Sequence, residues 1–515
     1  MRNKHKILLI AVLIFLFSVS FRLPIQIQNP QGVDTYTMYK LSNDIQQQKY
    51  IQWIYSPISL TGYYPLSYQT GGILILAELS TILGVNVSTT IYVWNIALIL
   101  IIGILIYLIS MNCTHDKFLS LIVVLIYLNA RFLFHYTDWY FSVRNVFLMF
   151  FMFLLWLFIK NKFRGKNILY ILTILLLAIT HKLIIIIPIF ILAKIMTNRL
   201  KRSTINSKIF LYTILFGTLI LFMISFFISP VIDLAPITHS PLKTNIFYLD
   251  QLIDFGFRYA LQIGITALLI PLGYILLICK QNKTIEEAYI LIALLLMSPL
   301  LTEPTYIFYL ILPILIIFTA YAVKYLYERN INRNTNYKKI IIFSILIIMI
   351  ISPVFIQIIP SDGVSTVSYQ TVTLTKYLDK SVNKAIVCNQ HQIYCEQIVS
   401  FSNNKILALS TASELMNTQK YNLSNIAMQV GLKKAYIIKD PVLDIVYYPG
   451  IQYGYLMLWN AGFLNMKKII AFNNIGYIVD SNNADSNANR DNINKKFGNM
   501  NQIYDNGLQQ IKVIN

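Results

Sequence analysis

The sequence predicts a polytopic α-helical membrane protein of about eleven spanning helices, followed by a C-terminal extracytoplasmic α/β domain. Three observations predict it. The composition is too apolar and too poor in charge for a soluble chain, the apolar residues come in uncharged blocks, and the basic residues concentrate in alternate loops. Of 515 residues, 56% are hydrophobic and 12% charged, where a soluble domain is about half apolar and about a quarter charged. Leu8–Phe21, Ile91–Ile109, Phe118–Leu128, Val146–Ile159 and Ile340–Ile351 hold no Asp, Glu, Lys or Arg. Helices made of these blocks have no face to offer water, and hydrocarbon is the solvent that suits them.

The formal charge of +20 is informative through its placement. Met1–Lys6, Asn112–Lys117, Lys160–Lys166, Asn198–Lys208, Lys280–Glu287 and Lys324–Lys339 together hold nineteen Lys and Arg against four Asp and Glu. The alternate loops, from Arg22 to Glu303, hold eight of each sign. This is the positive-inside bias. It puts the N-terminus in the cytoplasm and makes the chain a multi-pass protein of the cell membrane. No nucleic-acid partner is expected, because the charge is spread over short loops rather than gathered in one patch.

The first span is Ile7–Leu23, read as a retained anchor. Its basic start, its apolar run and Ser18-Val19-Ser20 also suit a signal peptide, and in either case Pro24 onward lies outside. An outer loop follows over 24–88. It contains Gly32-Val33-Asp34-Thr35-Tyr36, then Tyr63-Tyr64-Pro65, then the apolar segment Ile73–Leu83. That segment is short for a span and carries Glu78, so an interfacial or re-entrant helix is expected. Further spans are expected at 89–111, 118–134, 144–160, 168–180, 183–197, 208–229, 257–279, 286–301, 305–323 and 340–359. The short pair around His181-Lys182 is read as a hairpin, which keeps the basic loops Lys160–Lys166 and Asn198–Lys208 on one side.

The membrane domain is therefore placed at 1–359. From Pro360 on, Lys, Asp, Asn and Ser return. Ala385-Ile386-Val387, Ile406-Leu407-Ala408, Ala435–Ile438, Ile469–Phe472 and Ile475–Val479 read as strands, with helices expected at Val372–Asn383 and Ala412–Asn417. An α/β domain over 360–480 follows, outside the membrane after an odd number of spans, with an Asn-rich tail over 481–515. Cys388 and Cys395 lie on that outer side, where a disulfide can persist, but their spacing does not set Cα geometry. Cys113 and Cys279 fall at inner helix ends and read as small apolar residues.

Two outer-side carboxylates suggest chemistry. Asp34 follows the first span among Tyr36 and Tyr39. Asp138 sits in the short loop His135-Tyr136-Thr137-Asp138-Trp139-Tyr140, ahead of Arg144. One carboxylate can take a proton from an acceptor hydroxyl. The other can orient it or share a divalent metal ion. Arg144, Lys182 and Arg258 are outer-side cations suited to a phosphate leaving group. The plainer readings are that a lone loop Asp is solvated, that Arg131 and Arg144 snorkel to headgroups, and that His181 is a polar helix-end residue. No P-loop, dinucleotide-binding turn, zincin helix or serine-hydrolase spacing occurs in the sequence.

Over about residues 1–330 the order of these features resembles the GT-C glycosyltransferase superfamily. That group includes protein mannosyltransferases, lipid A aminoarabinose transferases and oligosaccharyltransferase catalytic subunits. The matching features are Asp34 in the first outer loop, Tyr63-Tyr64-Pro65-Leu66-Ser67-Tyr68-Gln69 before Ile73–Leu83, Asp138 in the loop between the third and fourth spans, Thr180-His181-Lys182 between two short spans, and the trailing α/β domain. The resemblance implies an inverting enzyme that uses a polyprenyl-phosphate-linked sugar as donor and a lipid, glycan or protein as acceptor. Asp34 would be the catalytic carboxylate, with Asp138 its partner or a fellow metal ligand. Tyr36, Tyr64, Arg144, His181, Lys182 and Arg258 would meet substrate.

The sequence also departs from the family pattern. Asp34 is followed by Thr35 rather than a second acid, with Asp44 ten residues on. Leu458-Trp459-Asn460-Ala461-Gly462 lacks the second Trp and the Asp of the oligosaccharyltransferase acceptor motif, which counts against asparagine-linked transfer. Glu303-Pro304-Thr305 stands where relatives commonly carry Arg. The alternatives are a polysaccharide polymerase or ligase, disfavoured by outer loops poor in Arg and His, and a membrane transporter or flippase. The latter is disfavoured by span centres almost free of ionisable groups and by the lack of a repeated half.

Overall fold

A computed structural model describes residues 2–20, 22, 32–49, 71–135, 137, 140–160, 165–228, 256, 260, 262–301, 308–331, 369–381, 385–389, 398, 406–408, 438–440, 445–447, 475–481, 501–505 and 509–513. For some of these, Asp34, His135 and Lys182 among them, only the backbone is described. The chain divides into two compact units, Met1–Gln26 with Tyr92–Ser361, and Ile27–Ile91 with Asp362–Asn515. The outer loop expected at 24–88 thus falls almost wholly in the unit that holds the C-terminal residues, whereas the sequence reading assigns it to the membrane domain.

The first unit is helical. It contains α1 (Arg2–Ser20), most of α4 (Val87–Thr114), α5 (Lys117–Leu128), α6 (Arg131–His135), α7 (Val143–Ile159), α8 (Lys166–Thr180), α9 (Ile187–Arg199), α10 (Arg202–Ile205), α11 (Lys208–Ile228), α12 (Leu269–Cys279), α13 (Ile285–Met297) and α14 (Phe308–Ile331). Among the described residues α4, with 28 residues, is the one helix long and apolar enough to cross a membrane by length and composition, and eight further apolar helices are shorter. Large side chains with no exposed edge fill the interior: Tyr127, Tyr289, Phe147, Phe151, Phe190 and Phe318. At Gly273 on α12 an added Cβ would lie 1.7 Å from the Phe318 carbonyl oxygen on α14, so these helices pack backbone to backbone.

Helix starts follow local chemistry. The Asp116 side chain accepts from the Phe118 and Leu119 amides at 2.8 and 3.1 Å and so begins α5. Thr284 and Glu287 form a capping box at α13, with the Thr284 amide donating to Glu287 Oε2 at 2.8 Å. The span expected at 118–134 is corrected, because it breaks after Leu128 and resumes as α6. Asn129 takes over there: its Nδ2 donates to the Leu125 carbonyl at 2.9 Å and to Ser18 Oγ at 3.3 Å. The second half of the His181 hairpin opens as a 3-10 turn, Lys182–Ile186, before α9. The span expected at 340–359 lies outside the described residues.

Loops that the charge pattern assigns to one side converge at one end of this unit. The Lys283 amide donates to Asn206 Oδ1 at 2.9 Å. The Tyr321 hydroxyl lies 2.9 Å from the Cys113 carbonyl and 2.8 Å from Glu287 Oε1. Lys280 Nζ donates to Glu287 Oε1 at 2.6 Å. Burial holds the Lys283 ammonium below the usual lysine range, against the opposing pull of Cys279 and Glu287.

The second unit pairs α2 (Val33–Gln48) with α3 (Gly71–Leu83), where Ser42 Oγ donates to the Ile73 carbonyl at 3.2 Å. Its later part holds α15 (Tyr369–Ser381) and a mixed sheet of β1 (Ala385–Asn389), β2 (Ile406–Ala408), β5 (Ile475–Ser481), β6 (Asn501–Asp505) and β7 (Gln509–Val513), in the order β2-β1-β5-β7-β6. β1 pairs parallel with β2 and β5, and β7 pairs antiparallel with β5 and β6. A separate two-stranded sheet joins β3 (Ile438–Asp440) to β4 (Ile445–Tyr447). Leu374 and Leu378, one helical turn apart, are fully buried on α15, which packs on β7. The Asn-rich tail expected at 481–515 is corrected, because β6 and β7 complete the sheet and bury Ile511. The strand expected at Ile469–Phe472 and the helix expected at Ala412–Asn417 lie outside the described residues.

Candidate active site

Away from the Lys280–Glu287 end, the first unit gathers polar groups around the ends of α1 and α5. Arg22 follows α1 and is 3% exposed. Its Nη1 donates to the Ser18 carbonyl at 2.6 Å, its Nη2 to the Leu128 carbonyl at 2.6 Å and its Nε to Thr137 Oγ1 at 2.7 Å. The guanidinium carbon stands 4.7 Å from the Phe134 ring centroid. Ser18 and Leu128 belong to the last turns of their helices, whose carbonyls lack intrahelical partners, and a cation there also suits both helix dipoles. Thr137 passes the bond on, its hydroxyl donating to the Leu133 carbonyl at 2.6 Å.

Thr137 is the residue before Asp138 in sequence. On the other side of Asp138, Asn95 Nδ2 on α4 donates to the Tyr140 carbonyl at 3.1 Å, and Phe141 meets Trp94 edge-on at 6.5 Å. Ser142 then caps α7, accepting from the Arg144 amide at 3.4 Å. Arg144 is half-buried at the start of that helix. One turn further, Phe147 packs edge-on against the His181 ring at 5.7 Å. His181 is 3% exposed, and its Nδ1 accepts from the Leu183 amide at 3.1 Å, which caps the 3-10 turn. An accepting Nδ1 requires the imidazole to carry its proton on Nε2 when neutral. The structure thus packs the His181 ring on Phe147, one helical turn after Arg144, and uses that ring as a cap.

In the second unit, Gly32 at φ 87° turns the chain into α2, a left-handed angle that a Cβ disfavours. Asp34 is the second residue of that helix. Tyr36, an expected substrate contact, is 0% exposed and lies in the core of this unit, so a role at substrate requires that core to open. Burial pushes the Tyr39 hydroxyl above the ordinary tyrosine range. The positions of Tyr64, Asp138 and Arg258 lie outside the described residues.

Sequence reasoning missed Arg22, Thr137 and Asn95. Arg22 reads as the polar flank of a span, and two of its three acceptors lie 106 and 115 residues away along the chain. An Arg placed four residues after a serine carbonyl at a helix end was the one local signal available.

The fold has solved counterparts. The oligosaccharyltransferase of Archaeoglobus fulgidus in its apo form aligns with a TM-score of 0.62 at 10% identity, over 93% of this chain and 70% of that one. The oligosaccharyltransferase AglB from Archaeoglobus fulgidus, in complex with an inhibitory peptide and a dolichol-phosphate, aligns with a TM-score of 0.59 at 10% identity, over 93% of this chain and 70% of that one. ArnT of Cupriavidus metallidurans bound to undecaprenyl phosphate aligns with a TM-score of 0.54 at 9% identity, over 98% of this chain and 97% of that one. No protein-family model and no curated protein sequence matches the chain. At these identities the likeness is one of fold alone: the chain shares the helical fold of these solved membrane proteins.

Proposed function

We propose that this chain is a glycosyltransferase that moves a sugar from a polyprenyl-phosphate-linked donor to a lipid, glycan or protein acceptor at the outer membrane face. The likeness along nearly its whole length to an enzyme solved with undecaprenyl phosphate is the observation that carries the reading. About eleven spans, an N-terminus in the cytoplasm and a C-terminal domain outside complete it. The segment around Trp459, which lacks the second Trp and the Asp of the oligosaccharyltransferase acceptor motif, counts against asparagine-linked transfer.

In this reading Asp34 accepts the proton of the acceptor hydroxyl as its oxygen attacks the anomeric carbon. The bond from that carbon to the phosphate oxygen breaks, and its electron pair leaves with the polyprenyl phosphate. Attack from the face opposite the leaving group inverts the anomeric centre. Asp138 orients Asp34 or shares a divalent cation with it. Arg144, Lys182 and Arg258 draw the departing phosphate, with Tyr64 beside the sugar.

Two carboxylates and a substrate phosphate are hard oxygen donors of the kind magnesium-class ions take. Such an ion would neutralise charge on the phosphate.

The reading is tested by purifying the full chain with its bound lipid and weighing that lipid by native mass spectrometry, wild type beside Asp34→Asn. A polyprenyl-phosphate sugar that accumulates in the variant is the expected result. Bulk phospholipid alone in both samples counts against a lipid-phosphate donor.

A further inference from the structure

We infer that the first unit binds the headgroup of an anionic phospholipid from the inner leaflet, held between Lys166 on α8 and Lys194 on α9. That end of the unit is cytoplasmic in the orientation proposed above, on which the inference rests, and no part of the transfer chemistry enters.

The carrying observation is a row of three aromatic rings with a lysine over each end. Tyr170 on α8 packs on Phe158 of α7, ring centroids 5.3 Å apart, and Phe158 packs on Tyr289 of α13 at 6.0 Å. Lys166 Nζ stands 5.3 Å from the Tyr170 ring, and Lys194 Nζ stands 5.9 Å from the Tyr289 ring. The rings are fixed in place: the Tyr170 hydroxyl donates to the Leu157 carbonyl at 2.8 Å, and Tyr289 is fully buried. Behind them α8 packs on α7, and α9 packs on α13. Lys160 adds a third cation at the end of α7. Its ammonium lies 5.2 Å from the Trp156 ring, and its carbonyl accepts from Lys166 Nζ.

The charges in this row do not balance. Lys194 is 9% exposed, so its ammonium cannot rely on water alone. It feels the like charge of Lys166 more than the opposite charge of Glu286. The rings lie within reach of a cation–π contact but carry no net charge, so the repulsion between the two lysines stands. An anion placed between them removes it. Burial holds the Lys166 ammonium below the usual lysine range, and a bound anion would raise it again. The Tyr289 hydroxyl is buried with no hydrogen-bond partner among the described residues, a donor that the packing leaves unused.

The helix faces beside the lysines identify the anion as a lipid. Ile168, Ile171 and Leu175 on α8 are 57–65% exposed, and Ile195 and Met196 on α9 are 45% and 40% exposed. Acyl chains cover such faces, whereas a free phosphate makes no use of them. Basic pockets between spans on the cytoplasmic side are where anionic headgroups bind.

The test uses the full chain in detergent, titrated with equimolar phosphatidylglycerol and phosphatidylcholine, with bound lipid counted by native mass spectrometry. Wild type is compared with Lys194→Met, Lys166→Gln and Lys201→Gln. Lys201 is an exposed cation on the same side, outside the row. Lys166→Gln alters a half-buried helix start, so the test survives a failure of Lys194→Met to fold. The first lipid bound by the wild type is expected to be phosphatidylglycerol, favoured about 25-fold, and Lys194→Met and Lys166→Gln are each expected to lower that preference about fivefold. Lys201→Gln should keep it. Wild-type preference in both Lys194→Met and Lys166→Gln overturns the site. An equal fall in Lys201→Gln also overturns it, because the attraction is then diffuse. Undecaprenyl phosphate that displaces phosphatidylglycerol from the wild type, and loses this advantage in Lys194→Met, overturns the phospholipid assignment in favour of a carrier lipid. The comparison needs neither donor nor turnover, and detergent has no sides, so its outcome is separate from the transfer reading and from the orientation.

Discussion

Tyr321 on α14 points its hydroxyl at Glu287 on α13, 2.8 Å from the carboxylate oxygen that also receives Lys280 at 2.6 Å. The same hydroxyl lies 2.9 Å from the Cys113 carbonyl in the last turn of α4, so one proton serves two acceptors. Glu287 is fully buried and also caps its own helix, whereas Lys280 is 38% exposed. Three segments far apart in sequence meet around Glu287 and Tyr321, beside loops that the charge pattern assigns to the cytoplasmic side.

Removing the cation here should cost more than removing the pair. Lys280→Met leaves a buried carboxylate with a phenol and an amide but no cation. It is expected to lower unfolding free energy by about 2 kcal/mol, less than the about 3–5 of a fully buried pair because Lys280 is partly exposed. Adding Glu287→Gln should return at least half of that loss. Reversible unfolding in detergent reads both variants, and strictly additive losses would show that the pair is not coupled.

Gly273 and Gly84 should respond differently to the same methyl group. At Gly273 a Cβ meets the Phe318 carbonyl oxygen at 1.7 Å, and no side-chain rotation relieves it. Gly273→Ala is expected to cost about 3 kcal/mol or more as α12 and α14 are forced apart. At Gly84, with φ +65° and nothing within 4 Å, alanine should cost only about 1–2 kcal/mol of backbone strain. Thermal midpoints of the two variants compare them, and equal shifts would contradict the close helix crossing.

His181 can be assigned by a pair of substitutions. Asn offers a side-chain acceptor to the Leu183 amide and Ala does not. If capping is the whole role, His181→Asn keeps stability and donor affinity while His181→Ala loses about 1 kcal/mol. A fall in donor affinity in the well-folded His181→Asn variant would give the ring a second role at substrate.

Much of the helical unit was legible because its physics is local. Uncharged apolar blocks such as Ile91–Ile109 and Val146–Ile159 became α4 and α7. Charge asymmetry anticipated which loops would meet, as Asn206 with Lys283 shows. The break after Leu128 was not legible, because Asn129 and Arg22 stabilise it through Ser18 and Leu128, which no spacing reveals. β6 and β7 were hidden by composition. Asn501, Gln502, Gln509 and Gln510 give both strands a polar start, yet Ile511 and Val513 alternate with polar residues, and Asn506-Gly507 between the strands is a hairpin signal in the sequence. Asp34 and Arg144 enter the proposed site as residue types in loop context, while the tertiary bonds behind Thr137 and Tyr140 were not legible in the sequence.

The most direct measurement is transfer of radiolabelled sugar from undecaprenyl-phosphate-linked donors by the full chain in membranes that supply acceptor, wild type beside Asp34→Asn. Wild-type turnover that falls about 1,000-fold in the variant, with donor binding retained, is the predicted result for loss of the catalytic base. Equal transfer by both proteins would contradict the role of Asp34, and ion-driven solute flux without transfer would contradict the enzyme itself.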